Sequence, residues 1–439
     1  MRSGFSRLSN SKRMSYLNSM PCARILVLML MLLSGCAFYP PSEQPREITS
    51  EYGVTDPEFQ RTMGSLLGPS FIPGNSVTTL LNGDETFPAM LEAIEAARRS
   101  ITFETYIFWR GVVGEAFANA LTRKASEGVK VYAIIDKFGG IQIDPAYIRR
   151  MKAAGAKVIE YHPLRWYDIG WANKLNNRTH RKLLIIDGKI GFTGGVGIAD
   201  EWAGNAQSAK VYRDTHYRID GPVVSQLQSA FTTNWMETTG EVLHGDDFFP
   251  AIPHAGDQWA QVIKSSPRGG SESMELMYIL SMAAAKKNIR LATGYFVPDD
   301  LMKRTLIQAR ERGVSVQMIL PGKTTDEQLV RFASHARLGE LLKAGVEIYE
   351  YGPAMFHCKL MIVDDAWVSI GSANLDERSF RLNDEANLNV LDPQFASEQI
   401  RVFEDDLKNC HRITYEAWDK RPPHRKAMDS FLTIFGWLM

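Results

Sequence analysis

The sequence predicts an α/β protein of two pseudo-symmetric domains, each a mainly parallel mixed sheet flanked by helices, with a functional site at the interface between them. Three observations carry this. Strand-like and helix-like stretches alternate along the chain, as βα units require. The alternation is written twice, and one nine-residue string recurs at a fixed offset of 177 residues. Composition permits such a fold: 439 residues with 45% hydrophobic and 10% aromatic side chains can fill a core in each of two or three domains. Disorder as the main state is excluded. The 50 basic and 50 acidic side chains balance, which excludes a protein that tracks nucleic acid by bulk charge and makes any phosphate recognition local. Cys22, Cys36, Cys358 and Cys410 form no C-x-x-C pair and no metal-ligand spacing, so neither a metal nor a disulfide framework is expected.

At the N-terminus Arg2, Arg7, Lys12, Arg13 and Arg24 precede a nine-residue apolar run, 25–33. Nine residues of helix reach about 14 Å, under half of a hydrocarbon core of roughly 30 Å. The segment therefore reads as a secretory signal and not as a spanning helix. Leu33-Ser34-Gly35-Cys36 resembles the bacterial lipobox, which implies cleavage before Cys36 and its lipidation; a simple signal peptide, or a start at Met14 or Met20, is the alternative. Residues 1–35 are thus expected as a lipoprotein-type signal peptide, and 36–70, with Pro40, Pro41 and Pro45, as a tether.

The two domains are expected at 71–250 and 251–439. In chain order, 101–109 (ITFETYIFW) parallels 289–297 (IRLATGYFV). Helix-like stretches at 117–127 and 301–312 lead into β-branched runs at 128–131 (GVKV) and 313–316 (GVSV). Next, 155–163 (GAKVIEYHP) parallels 345–353 (GVEIYEYGP). The strongest echo follows: 179–187 (THRKLLIID) matches 356–364 (FHCKLMIVD), with Gly194-Gly195 and Gly371-Ser372 each beginning seven residues past the aspartate. In a strand, residues i and i+2 share a face. His180 and Lys182 therefore point one way, as do His357 and Lys359, while Arg181 and Cys358 point to the opposite face.

Two H-x-K-x-x-x-x-D strings in one chain, the second followed by Gly371-Ser372-Ala373-Asn374, resemble the phospholipase D superfamily over about residues 71–420. The stretch 371–390 (GSANLDERSFRLNDEANLNV) is similar in particular to bacterial cardiolipin synthases and related phosphatidyltransferases. Phosphodiester transfer without a metal or other cofactor needs a nucleophile, an acid for the leaving alkoxide and fixed positive charge at the phosphoryl oxygens. The catalytic set His180, Lys182, His357 and Lys359 supplies these parts, and an imidazole with a pKa of about 6.5 serves either proton role near neutrality. Lys182, Lys359, Ser372 and Asn374 are the candidate phosphate cradle. Asp187 and Asp364 complete the catalytic motif, yet each ends a buried strand and is expected to fix a turn.

The resemblance also implies an acidic partner that orients each histidine, matched here to the histidine that precedes it: Glu385, 28 residues after His357, and Asp214, 34 residues after His180. Gly195 and Gly197 stand in the first copy where the second has Ser372 and Asn374, so that half offers fewer phosphate donors and the site is expected to be asymmetric. By analogy with two-motif family members, His180 is the nucleophile and His357 the acid and later base. Cys358 and Cys410 read as free thiols packed as small hydrophobes.

The motif sets the chemistry and leaves the substrate open, so location arbitrates. A lipidated chain facing the periplasm or cell exterior meets a membrane surface and phospholipids, and no nucleic acid is expected. The expected activity is cardiolipin synthesis from phosphatidylglycerol and a second phospholipid or alcohol. A hydrolytic phospholipase D, a phosphatidylserine synthase-like enzyme, a secreted phosphodiester nuclease and a non-catalytic membrane-binding lipoprotein are the alternatives. Arg165, Trp166, Tyr167, Trp171 and Lys174, in an insertion between Pro163 and His180, suit a membrane interface or a cleft rim. The tail at 431–439 (FLTIFGWLM), after Arg421, His424, Arg425 and Lys426, reads as an interfacial anchor or as ordinary core docking.

Overall fold

The motif runs Leu183–Ile186 and Leu360–Val363 are apolar at every position and buried at every position, so each strand is covered on both faces. They lie inside one large sheet. The computed structural model describes residues 48–162, 177–267, 272–423 and 426. The segment expected as an N-terminal signal, with Cys22 and Cys36, the Arg165 to Lys174 insertion, and His424, Arg425 and the tail at 431–439 lie outside the described residues. Among the described residues no helix is long and apolar enough to cross a membrane.

The first half contributes β1 (Ile72–Leu81), β2 (Ser100–Thr105), β3 (Lys130–Asp136), β4 (Lys157–Tyr161), β5 (Arg178–Thr179), β6 (Leu183–Ile186), β7 (Ile190–Gly194), β8 (Tyr212–Arg213) and β9 (Thr215–Asp220). The second contributes β10 (Gln258–Ser265), β11 (Asn288–Ala292), β12 (Phe296–Val297), β13 (Ser315–Pro321), β14 (Glu347–Tyr351), β15 (Met355–Phe356), β16 (Leu360–Val363), β17 (Trp367–Gly371), β18 (Leu375–Asp376), β19 (Asn383–Leu391) and β20 (Cys410–Ile413). The main sheet runs β20-β14-β13-β11-β16-β17-β19-β10-β1-β9-β7-β6-β2-β3-β4. Apart from the extra edge strand β20, this order is a mirrored repeat about the β10–β1 pair.

Along this strand order, parallel pairing is confined to β2–β3–β4 and β11–β13–β14. The centre is antiparallel, so the expected mixed α/β sheet is present but is not mainly parallel. The reason is local. Each motif strand turns straight back as a hairpin, β6 onto β7 and β16 onto β17, and a tight hairpin is antiparallel by construction.

The halves join edge to edge, with Ile72 opposite Ala260 and Asn75 opposite Gln258. One hydrophobic core runs across the junction, holding Val77, Ile185 and Tyr217 from the first half with Ala260, Leu388 and Val390 from the second. The stretch expected as tether to residue 70 is already folded at its C-terminal end: Pro57–Leu67 is a helix whose Phe59 and Met63, one turn apart, are buried in the second half's core. Phe59 meets Trp367 edge-on at 6.1 Å between ring centroids.

Two short parallel ladders cross between the halves and position the site. β5 pairs with β19, Thr179 opposite Asp384, and β8 pairs with β15, Arg213 opposite Phe356. Each is pinned by a buried ion pair, Arg178 with Asp136 at 2.8 Å and Arg213 with Asp406 at 2.7 Å.

Candidate active site

In each motif the lysine lies on the histidine's face and folds back: Lys182 Nζ donates to the His180 carbonyl at 2.8 Å, and Lys359 Nζ donates to the His357 carbonyl. The intervening residue points away. Arg181 donates to the carbonyls of Glu385, Ala230 and Ser265, and Cys358 Sγ lies 3.7 Å from the Arg213 carbonyl. Cys358 and Cys410 are both free thiols. The motif aspartates sit at the other end of the strand, about 20 Å of extended chain from the histidines. Asp187 and Asp364 adopt left-handed backbone, φ 53° and 54°. Asp187 accepts from the amides of Arg98, Arg99 and Ser100, and Asp364 from those of Lys286, Lys287 and Asn288. Both therefore tie a hairpin turn to the start of a neighbouring strand and touch neither histidine, which removes them from the catalytic set.

The acidic partners are exchanged relative to the expected matching. His180 Nδ1 donates to both oxygens of Glu385, at 2.9 and 3.0 Å, and His357 Nδ1 donates to Asp214 Oδ2 at 2.7 Å. Each histidine is thus oriented by a carboxylate from the opposite half. The crossing ladders cause it. The His180 amide donates to the Asp384 carbonyl and the His357 amide to the Arg213 carbonyl, which sets each imidazole beside the residue that follows on the partner strand. A carboxylate on Nδ1–H leaves Nε2 as the free lone pair of a neutral ring.

Register makes Asp214 and Glu385 equivalent: Gly194 lies opposite His216 and Gly371 opposite Asn387, two residues beyond each acid. Their supports differ. Ser372 Oγ donates to Glu385 Oε2 at 2.5 Å while accepting from the Ala386 amide at 3.0 Å, so its hydroxyl braces the acid. In the first copy a Cβ on Gly195 would stand 2.1 Å from Asp214 Oδ1, and one on Gly197 would stand 2.9 Å from Ile107 Cβ and 3.1 Å from the Trp202 ring. Trp202 Nε1 in turn donates to Asp214 Oδ2 at 2.9 Å. The two glycines are therefore room for Asp214 and for the indole that holds it. Asn374 Oδ1 is buried without a hydrogen-bond partner, close to His357 and Lys359.

Electrostatically the four motif groups share one environment. Burial, with the charges of Lys182 and Lys359 adding and Glu385 opposing, pushes His180 down to about 4. Burial and Lys359 lower His357 against Asp214, and Lys182 adds to the effect. Each half's ammonium acts on the other half's imidazole. Burial brings Lys182 down to about 7, with Glu385 opposing and Lys359 adding, and burial lowers Lys359 too. For Glu385 and Asp214 burial pushes upward, but the facing imidazole and lysines outweigh it and leave both carboxyls below the usual range. Both histidines are consequently neutral at neutral pH, beside two lysines whose charged forms a bound phosphodiester would favour.

The chain matches the family model described as cardiolipin synthase, PLD-like domain, over residues 90–235 and 278–407. It belongs to this family. Among family relatives, it is 36% identical over 363 residues to cardiolipin synthase 2 of Bacillus anthracis, an alignment covering 82% of this chain and 70% of that protein. With the cardiolipin synthase of Geobacillus kaustophilus the identity is 36% over 367 residues, covering 83% and 72%. Its fold is similar to that of the phosphatidylserine synthase of Haemophilus influenzae Rd KW20, with a TM-score of 0.64 and 13% identity, covering 87% of this chain and 99% of that one.

Sequence reasoning missed an aromatic ring of residues about the two histidines. Tyr106 meets His180 at 5.4 Å, while Trp202, Tyr212 and Tyr295 meet His357 at 5.6, 5.8 and 6.0 Å. Asp326 accepts from Tyr295 at 2.8 Å and from Tyr212 at 3.2 Å, which ties the two halves together above His357. Tyr106 and Tyr295 lie inside the repeated strings 101–109 and 289–297, where a position-by-position comparison could have singled them out.

Proposed function

We propose that this chain is a phosphatidyltransferase that makes cardiolipin from phosphatidylglycerol and a second phospholipid headgroup through a phosphohistidine. The supporting observation is the crossed pair of neutral, carboxylate-oriented imidazoles between two lysines, read with the similarity to cardiolipin synthases over four-fifths of the chain. His180 Nε2 attacks phosphorus and the bond from phosphorus to the glycerol oxygen breaks. Glycerol leaves with a proton from His357 Nε2, which the incoming anionic phosphodiester helps to hold there. The acceptor hydroxyl then gives its proton to His357, attacks phosphorus and releases neutral His180. Lys182 and Lys359 stabilise the phosphoryl oxygens throughout. Two phosphatidylglycerols become one cardiolipin and one glycerol.

The two halves, 71–250 and 251–439, each supply one motif to this site. Lipidation of Cys36 would hold the body at a membrane on the periplasmic or outer side. Cys36→Ser would then leave the protein without lipid label after growth on labelled palmitate; retained label would place the lipid elsewhere.

The test is incubation of the purified full chain with phosphatidylglycerol vesicles in chelator. Cardiolipin and free glycerol are expected. Phosphatidic acid alone would make the protein a hydrolase, and neither product would make it a non-catalytic membrane protein.

A further inference from the structure

Three large apolar side chains stand exposed near His180, on two loops that leave the same end of the sheet. Val112 is 81% exposed, Phe138 51% and Ile141 74%. Val112 opens the helix Val112–Ser126 that follows β2, and Phe138 and Ile141 lie between β3 and the helix Pro145–Ala153. Hydrogen bonds fix the backbone that displays them. The Arg110 amide donates to the Gln142 carbonyl at 3.0 Å, Trp109 Nε1 donates to the Gly139 carbonyl at 2.7 Å, and Asp136 accepts from the amides of Phe138 and Gly139.

This apolar lip is continuous with the site. Gly139 packs against Tyr106, where an added Cβ would stand 2.7 Å from Tyr106 Cδ2, and the Tyr106 ring meets the His180 ring at 5.4 Å and Lys182 Nζ at 5.9 Å. The corresponding stretch of the second half, from the end of β13 into the helix Gln328–Lys343, is mainly polar. It exposes Lys323, Asp326, Glu327 and Gln328, with Leu329 beyond them.

The substrate decides what covers the lip. On the transferase reading, His180 must reach the phosphorus of a phospholipid whose two acyl chains stay in the bilayer, because every methylene drawn into water opposes extraction. The site has to be brought to the lipid, and the apolar side chains that border it are the ones that gain by entering the interface. Arg110, exposed beside Val112, carries the charge that an anionic headgroup layer attracts, whereas Asp326 and Glu327 on the second half's lip are repelled by it.

We propose that Val112, Phe138 and Ile141 form a docking lip that enters the membrane interface on the His180 side, separately from any anchor at Cys36. The inference rests on the transferase reading and adds the face by which the catalytic body meets its lipid.

Two experiments on the full chain decide it. In the first, backbone hydrogen exchange of the native protein is compared with and without phosphatidylglycerol vesicles. Residues 109–114 and 137–143 should exchange more slowly on vesicles, while 240–245 should not change. That control segment holds Val242, 55% exposed, next to Glu241, which pairs with Lys157 at the start of β4 and so marks the opposite end of the sheet. Unchanged exchange at both loops overturns the proposal. Slowing that appears without lipid as protein concentration rises would assign the lip to a second copy of the chain and overturn it equally.

In the second, the triple variant Val112→Ser, Phe138→Ser, Ile141→Ser is assayed on phosphatidylglycerol in vesicles and on a short-chain phosphatidylglycerol dissolved as monomers. Turnover of vesicles should fall about tenfold and turnover of the soluble lipid should stay native, with Val242→Ser native on both. Native turnover of vesicles by the triple variant overturns the proposal, as does an equal loss on both lipids in a folded variant. Should the variant fail to fold, the exchange measurement decides alone. A native protein that turns over neither lipid sinks the transferase reading, an outcome distinct from turnover without protection of the lip.

Discussion

The two motif sites share a backbone and differ in what surrounds it. In both, a histidine and lysine stand on one strand face, a tight hairpin follows, and a carboxylate arrives from the other half at the same register. Around His180 the acid is a glutamate braced by Ser372, and Tyr106 fills the adjoining space. Around His357 the acid is a shorter aspartate braced by Trp202, glycines make room for both, and a Cβ on Gly294 would crowd Lys359 Nζ and the His357 ring. Duplication supplied two equal imidazoles, and the second layer of residues makes them unequal.

The largest effect expected is from the imidazoles. His180→Ala and His357→Ala should each lower phosphatidyl transfer by about four orders of magnitude, read as cardiolipin formed per enzyme; full activity in either variant would break the one-site picture. Next come the crossed acids. Glu385→Gln and Asp214→Asn should each cost about a thousandfold in kcat, because an amide no longer fixes the Nδ1–H tautomer. The supports sharpen the comparison. Gly195→Ser pushes a Cβ to 2.1 Å from Asp214 Oδ1 and should cost about a hundredfold, whereas Ser372→Gly removes one charge-assisted hydrogen bond and should cost about tenfold. Equal losses would mean the halves are braced alike.

The smallest effect is in the pH profile. Lys182 has its pKa brought down to about 7 in the free protein, so its ammonium is neutralised as pH rises through that value. kcat/KM should therefore fall on the alkaline side of neutrality, while kcat, measured with the phosphodiester already bound, holds to higher pH. Lys182→Arg, which cannot lose its charge there, should carry the kcat/KM limb upward. A limb that stays at the same pH in that variant would assign it to another group.

Much of this arrangement was legible before the structure. The repeat at a fixed offset, the shared face of His180 with Lys182 and of His357 with Lys359, and the turn-fixing duty of Asp187 and Asp364 all follow from strand periodicity and apolar runs. Which acid meets which histidine did not follow. That is decided by two-residue ladders between β5 and β19 and between β8 and β15, and such short pairings leave no pattern in a linear sequence. Gly195 and Gly197 were legible as departures but not in meaning: they read as lost phosphate donors, while the structure shows the space taken by Asp214 and Trp202. The antiparallel centre escaped because short hairpin strands share the apolar signature of buried parallel ones.

The crossed pairing itself can be read directly from the Nδ1–H proton signals of histidine-labelled protein by nuclear magnetic resonance. Glu385→Gln should shift or remove the signal of His180 and leave that of His357, and Asp214→Asn should do the reverse. Loss of the His357 signal in Glu385→Gln, with His180 untouched, would contradict the exchange of acids between the halves on which the single-site chemistry depends.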